Sequence, residues 1–87
     1  MSEWSWRFTE KSMKQLRNLE KDIQEQIISK LDEVVSSEWR EPVDYLDTLE
    51  NSAFYKLRVG DYRISCDLYR EDAVLEVQSI RYRNGAY

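Results

Sequence analysis

The chain has 87 residues, 41% hydrophobic and 34% charged, with a net charge of −4. That length suits a single domain spanning residues 1–87, and the absence of any histidine removes Ser–His–Asp and Cys–His catalysis and every histidine-based metal site. The one cysteine, Cys66, rules out an internal disulfide, and no apolar run approaches a membrane span or a signal-peptide core, which points to the cytoplasm.

In chain order, the alternation of residues 3–8 (EWSWRF) predicts a short strand. Thr9 is a helix N-cap residue, and Glu10 favours the first turn that follows it. Met13, Leu16 and Leu19 recur at helical spacing, predicting a first helix to about Asn18 with Ser12 as a small neighbour. Ile23, Ile27, Ile28, Leu31, Val34 and Val35 form the apolar stripe of a second helix over residues 22–36, whose other side is charged. Residues 37–52 have no clear period. Pro42 breaks helix there, and Trp39, Val43, Leu46 and Leu49 are placed to pin a loop to the core.

Three strands follow, at residues 53–59, 62–69 and 73–82. Gly60 and Asp61 supply the first turn, Arg70, Glu71 and Asp72 the second, and Asn84 and Gly85 a last turn signal. The order is βααβββ, an α+β fold with a helical hairpin packed on one face of a small, mainly antiparallel sheet. Period-two alternation then divides the first hairpin. Leu57, Val59, Ile64, Cys66 and Leu68 face the helices, while Lys56, Arg58 and Arg63 share the uncovered face.

The charge is unevenly spread. Residues 1–53 carry 7 basic and 12 acidic side chains, residues 54–87 carry 6 and 5. A local basic site on the strand-rich half is therefore compatible with an acidic chain. The same three cations are also compatible with cross-strand pairing to Asp61, Asp67 or Glu76 on a solvated hairpin.

The hairpin FYKLRVGDYRI, the element order and the closing IRYRNGAY resemble the RelE/ParE superfamily of toxins from type II toxin–antitoxin modules, over nearly the whole chain. The RelE branch comprises ribosome-dependent endoribonucleases that cut mRNA without a metal or other cofactor. The ribose 2′-OH attacks the adjacent phosphate, leaving a 2′,3′-cyclic phosphate and a 5′-OH, and translation is inhibited. The resemblance implies a cognate antitoxin, the ribosome and mRNA as partners. It also implies catalytic roles for Lys56, Arg63, Arg83 and Tyr87. Lys56 would assist deprotonation of the 2′-OH or stabilise the phosphate, Arg63 would hold the pentavalent phosphate, Arg83 would sit near the leaving 5′-oxygen, and Tyr87 near the bases. Arg58, Arg81 and Tyr82 fall at RNA-binding positions. The family usually has Gly where Arg81 stands and His or Lys where Tyr82 stands. Two other readings stay open: a ParE-type inhibitor of DNA gyrase, and an inactive homologue acting only in a repressor complex with its antitoxin.

Overall fold

The structure, a computed structural model, describes residues 3–38, 40–48 and 53–82. Its elements are β1 (Ser5–Phe8), α1 (Glu10–Arg17), α2 (Lys21–Ser36), a 3₁₀ turn (Pro42–Tyr45), β2 (Asp47–Thr48), β3 (Tyr55–Val59), β4 (Tyr62–Tyr69) and β5 (Val74–Tyr82). The α+β expectation holds, with one addition. The stretch without a clear period contains the 3₁₀ turn and the two-residue β2, so the sheet has five strands in the order β1-β5-β4-β3-β2. β1 runs parallel to β5, and the other pairings are antiparallel. Trp39 and Leu49 lie outside the described residues.

Both helices lie against the same face of the sheet. The N-cap of α1 is Thr9, whose hydroxyl accepts from the Ser12 N–H at 3.1 Å, while the Ser12 hydroxyl accepts from the Thr9 N–H at 2.9 Å. This reciprocal pair satisfies backbone donors that the first helical turn leaves open. α2 buries Ile27, Leu31, Val34 and Val35, spaced for one helical stripe. Against them the sheet presents aligned apolar rows: Phe8, Val77, Cys66 and Tyr55; and Ile80, Ile64 and Leu57. Ile27, Leu31, Val34, Ile64, Cys66, Leu75 and Val77 have no exposed surface at all. Trp6 packs half-buried at the edge of this core and anchors α2 through its indole N–H, which donates to Asp32 at 2.8 Å. Burial pushes the Cys66 thiol up to about 12, so Cys66 is a protonated core side chain at neutral pH.

The hairpin turn between β3 and β4 is two residues long. Gly60 has φ +56°, a left-handed conformation that disfavours any side chain, and it takes the first central position.

One irregularity matters for everything that follows. Ser65 pairs with Ser79, but the next β4 residue, Cys66, pairs with Val77, so Gln78 is an extra residue in β5. This is a β-bulge, and it reverses the alternation of the strand beyond it. Leu75 and Val77 face the helices. By strict alternation Ser79 and Arg81 would do so too. The bulge instead turns Ile80 inward and Arg81 outward. The β5 backbone beyond the end of β1 is met by α1. The Ser12 hydroxyl donates to the Val77 carbonyl at 2.7 Å, and the Ile80 N–H donates to the Gln15 side-chain oxygen at 2.7 Å. Helical spacing in the sequence placed Ser12 only as a small neighbour. The structure makes it a buried connector between helix and bulge. Ser12→Ala is expected to cost about 1–3 kcal/mol of stability, read from urea denaturation, because it removes the Ser12 half of the capping pair and a buried bond together.

Candidate nucleic-acid interface

The uncovered face of the sheet is organised in cross-strand rows. Arg58 is directly opposite Arg63, and Arg63 is directly opposite Arg81, giving three arginines side by side on β3, β4 and β5. One pleat along lies the row Asp47, Lys56, Ser65 and Ser79. The next row holds Asp67, Glu76 and Arg7. Directly opposed side chains have Cβ atoms about 4.5–5.5 Å apart, and like charges in that relation destabilise a sheet. Three arginines in one row therefore oppose folding locally, and an anion lying across them relieves that repulsion.

The charge-pair alternative for the hairpin cations is not what forms. Among the described residues, Lys56, Arg58 and Arg63 make no ion pair. Glu76, one of their possible partners, is taken at the other end of the face. It accepts from Arg7 Nε at 2.8 Å, the Tyr69 hydroxyl at 3.1 Å and the Gln78 amide at 2.8 Å. The Gln78 amide, with Arg7 and Tyr69, holds the Glu76 carboxyl below the usual carboxylate range. Glu76 in turn pushes the Tyr69 hydroxyl up. The Arg7 guanidinium lies 5.5 Å from the Tyr69 ring centroid. The face thus divides into an end where Arg7, Glu76 and Tyr69 are matched to one another and an end where Lys56, Arg58 and Arg63 make no ion pair among the described residues.

Between these ends, Ser65 and Ser79 form a floor of short hydroxyl side chains. They sit beneath the longer Lys56, Arg63 and Arg81. A groove of about 610 Å³ opens between α2 and the β3–β4 turn, with Asp22, Glu25, Gln26, Lys30 and Glu33 on its helical wall and Arg58 on its sheet side. Its three carboxylates against Lys30 and Arg58 make it a poorer seat for phosphate than the arginine row. Among the described residues no cluster of three or more histidine, cysteine or carboxylate side chains is arranged for a metal ion. Nor is any helix among them long and apolar enough to cross a membrane.

No family model matches the chain, and no curated protein matches it by sequence. Solved structures do. The toxin–antitoxin complex RelBE2 of Mycobacterium tuberculosis is 20% identical, with a TM-score of 0.78 over 92% of this chain and 98% of the other. The archaeal RelE–RelB complex of Pyrococcus horikoshii is 22% identical, with a TM-score of 0.74 over 92% and 94%. The intact Escherichia coli RelBE toxin–antitoxin complex is 30% identical, with a TM-score of 0.68 over 88% of this chain and 93% of that one. The chain belongs to the RelE toxin superfamily.

In this RelE-type chain, the structure brings together four of the seven residues that sequence reasoning singled out. Lys56, Arg58, Arg63 and Arg81 share the uncovered face in two adjacent rows. Tyr82 is not with them. It alternates to the other side, where its ring meets Tyr62 edge-to-face at 5.3 Å and it remains 45% exposed. Arg83 and Tyr87, with the Asn84–Gly85 turn, lie outside the described residues. Sequence reasoning missed Asp47, because a two-residue strand carries no period. It also missed the Ser65–Ser79 floor, which only the pairing of β4 with β5 creates.

Proposed function

We propose that this chain is the toxin of a type II toxin–antitoxin pair and acts as a ribosome-dependent mRNA endoribonuclease. The observation that carries this reading is the row Arg58–Arg63–Arg81 with Lys56 beside it on a face the helices leave open. RNA cleavage by 2′-OH attack develops extra negative charge on the non-bridging phosphate oxygens. Fixed arginines aimed at those oxygens stabilise the transition state, each by about 3–4 kcal/mol in comparable oxyanion sites. The planar guanidinium matches phosphate geometry with paired hydrogen bonds, which makes a row of arginines a better clamp than a row of lysines. Lys56, one pleat away, adds charge over the adjoining sugar.

Resemblance to the family adds Arg83 at the leaving 5′-oxygen and Tyr87 against the bases, where stacking is worth about 1–3 kcal/mol per base. The likeness to the E. coli RelBE complex supports a cognate antitoxin as the protein partner. With no histidine, the acid–base groups are weak ones. The ribosome supplies what they lack by bending mRNA into line for attack. Purified protein added to translating ribosomes is expected to produce new cuts in the decoding site, mapped by primer extension. Intact mRNA in that assay, at protein levels that arrest growth, overturns the endoribonuclease reading.

A further inference from the structure

The arginine row works only while Arg81 holds its aim, and β5 gives it little support there. β1 ends opposite Val77, so from Gln78 to Tyr82 the strand is paired with β4 alone among the described residues. Arg81 also stands directly opposite Arg63, and that like-charge contact pushes the strand end away from its partner. The bulge adds a further soft point, since its extra residue is left out of the ladder.

Bonds on both faces hold this bulge. From the helix side, Ser12 and Gln15 bond to the backbone at Val77 and Ile80. On the open face the hold is a single carboxylate. The Gln78 amide donates to Glu76 Oε1 at 2.8 Å and lies 3.4 Å from the Glu76 carbonyl oxygen. Glu76 is itself fixed from two other strands: Oε1 accepts from the Tyr69 hydroxyl of β4, and Oε2 from Arg7 Nε of β1. The Arg7 side chain in this pair is 57% exposed, and an ion pair so open adds little to stability. What the network supplies is geometry. Three strands converge on one carboxylate, and that carboxylate grips the residue on which the placing of Arg81 turns.

We propose that Glu76 is a positioning residue for cleavage, holding the Gln78 bulge so that Arg81 stays aimed at the phosphate. This rests on the endoribonuclease reading. Glu76 lies two rows from the arginines and touches no reacting atom. It acts through Gln78 and the backbone of Ser79 and Ile80. Without that grip the bulge opens locally and Arg81 swings away under the repulsion of Arg63. The transition state then loses a donor fixed in advance. RNA still binds, because the charge of the face is unchanged.

The decisive variant is Gln78→Met, which keeps side-chain length and net charge and removes the amide. Glu76→Met, the double variant and Arg63→Ala stand beside it, all confirmed as folded by thermal melting. Cleavage rates are measured on programmed ribosomes at saturating protein, and affinity separately with an RNA oligonucleotide methylated at its 2′-oxygens. Gln78→Met is expected to cut about 10–100-fold more slowly. It is expected to bind the methylated RNA within about twofold of wild type, since no charge has changed. The double variant cuts no more slowly than the slower single one, because Glu76 acts through Gln78. Hydrogen exchange reads the same grip without RNA. In Gln78→Met the Ile80 amide exchanges about 10-fold faster, while the Leu57 amide on β3 keeps its rate. A network that serves stability alone does not free one amide and slow the cut in a folded protein. Gln78→Met cutting at the wild-type rate while Arg63→Ala is slowed overturns the role of Glu76 and leaves the endoribonuclease reading standing. Unchanged Ile80 exchange in Gln78→Met overturns the grip on the bulge, whatever the cleavage assay gives. Wild-type protein that makes no cuts removes the endoribonuclease reading, and the role of Glu76 in cleavage falls with it.

Discussion

Arg63→Ala is expected to lower mRNA cleavage by about 10²–10³-fold while leaving the protein as stable as wild type, or slightly more so. Arg63 is the middle of the row, with Arg58 opposite on one side and Arg81 on the other. It is half-buried where its two neighbours are exposed, so its guanidinium is the most restrained of the three and the best aimed at a phosphate. The same position makes it the largest source of like-charge repulsion in the sheet. Removing it eases both cross-strand contacts, each worth about 0.2–1 kcal/mol. Loss of activity with unchanged or raised melting temperature is the signature of a charge kept for function. Primer extension on programmed ribosomes and a thermal melt of the same preparation check it. A fall in melting temperature matching the fall in activity would mean that Arg63 is a structural residue.

The second large effect is on folding. Leu31→Ala is expected to destabilise the protein by about 2–5 kcal/mol. Leu31 is fully buried on α2 within a core cluster that includes Ile27, Ile64 and Val77. A domain this short has little surplus core, and total stabilities run only about 5–15 kcal/mol. The variant therefore loses a large share of its folding free energy, and urea denaturation shows this as a midpoint shift with an unchanged slope. Glu25→Ala, on the exposed side of the same helix, serves as the control and stays within about 0.5 kcal/mol. Equal effects from the two substitutions would contradict the stripe assignment.

Much of this architecture was legible because local period and tertiary burial agree. The strand expected over residues 62–69 forms as Tyr62–Tyr69, since Ile64 and Cys66 alternate with Arg63, Ser65 and Asp67 without a break. The second helix forms as Lys21–Ser36 for the corresponding reason at helical spacing. The parity of the hairpin alone places Lys56, Arg58 and Arg63 together. Three things depended on distant parts of the chain instead. β2 exists only because β3 offers it an edge. The parallel placement of β1 beside β5 is a pairing across most of the chain. Arg81 joins the row through a bulge that no local pattern marks, since Gln78, Ser79 and Ile80 read equally well in either phase. Tyr82 shows the same rule from the other side. Once Arg81 faces out, its neighbour has to face the helices.

The bulge also bears on how such a protein can change over generations. On most strands, core and surface drift separately, because a substitution on one face leaves the other alone. Downstream of Gln78 that independence depends on the bulge. Without Gln78 the strand would run in plain alternation from Val77 to Ser79, and Ile80 would still face the helices and Arg81 the open side. If Gln78 were instead drawn into the ladder opposite Ser65, Arg81 would turn inward and Ile80 outward, and Ser12 and Gln15 of α1, which bond to the backbone at Val77 and Ile80, would lose their places together. Fold and chemistry share a single reading frame there, and the one spare residue holds both in phase.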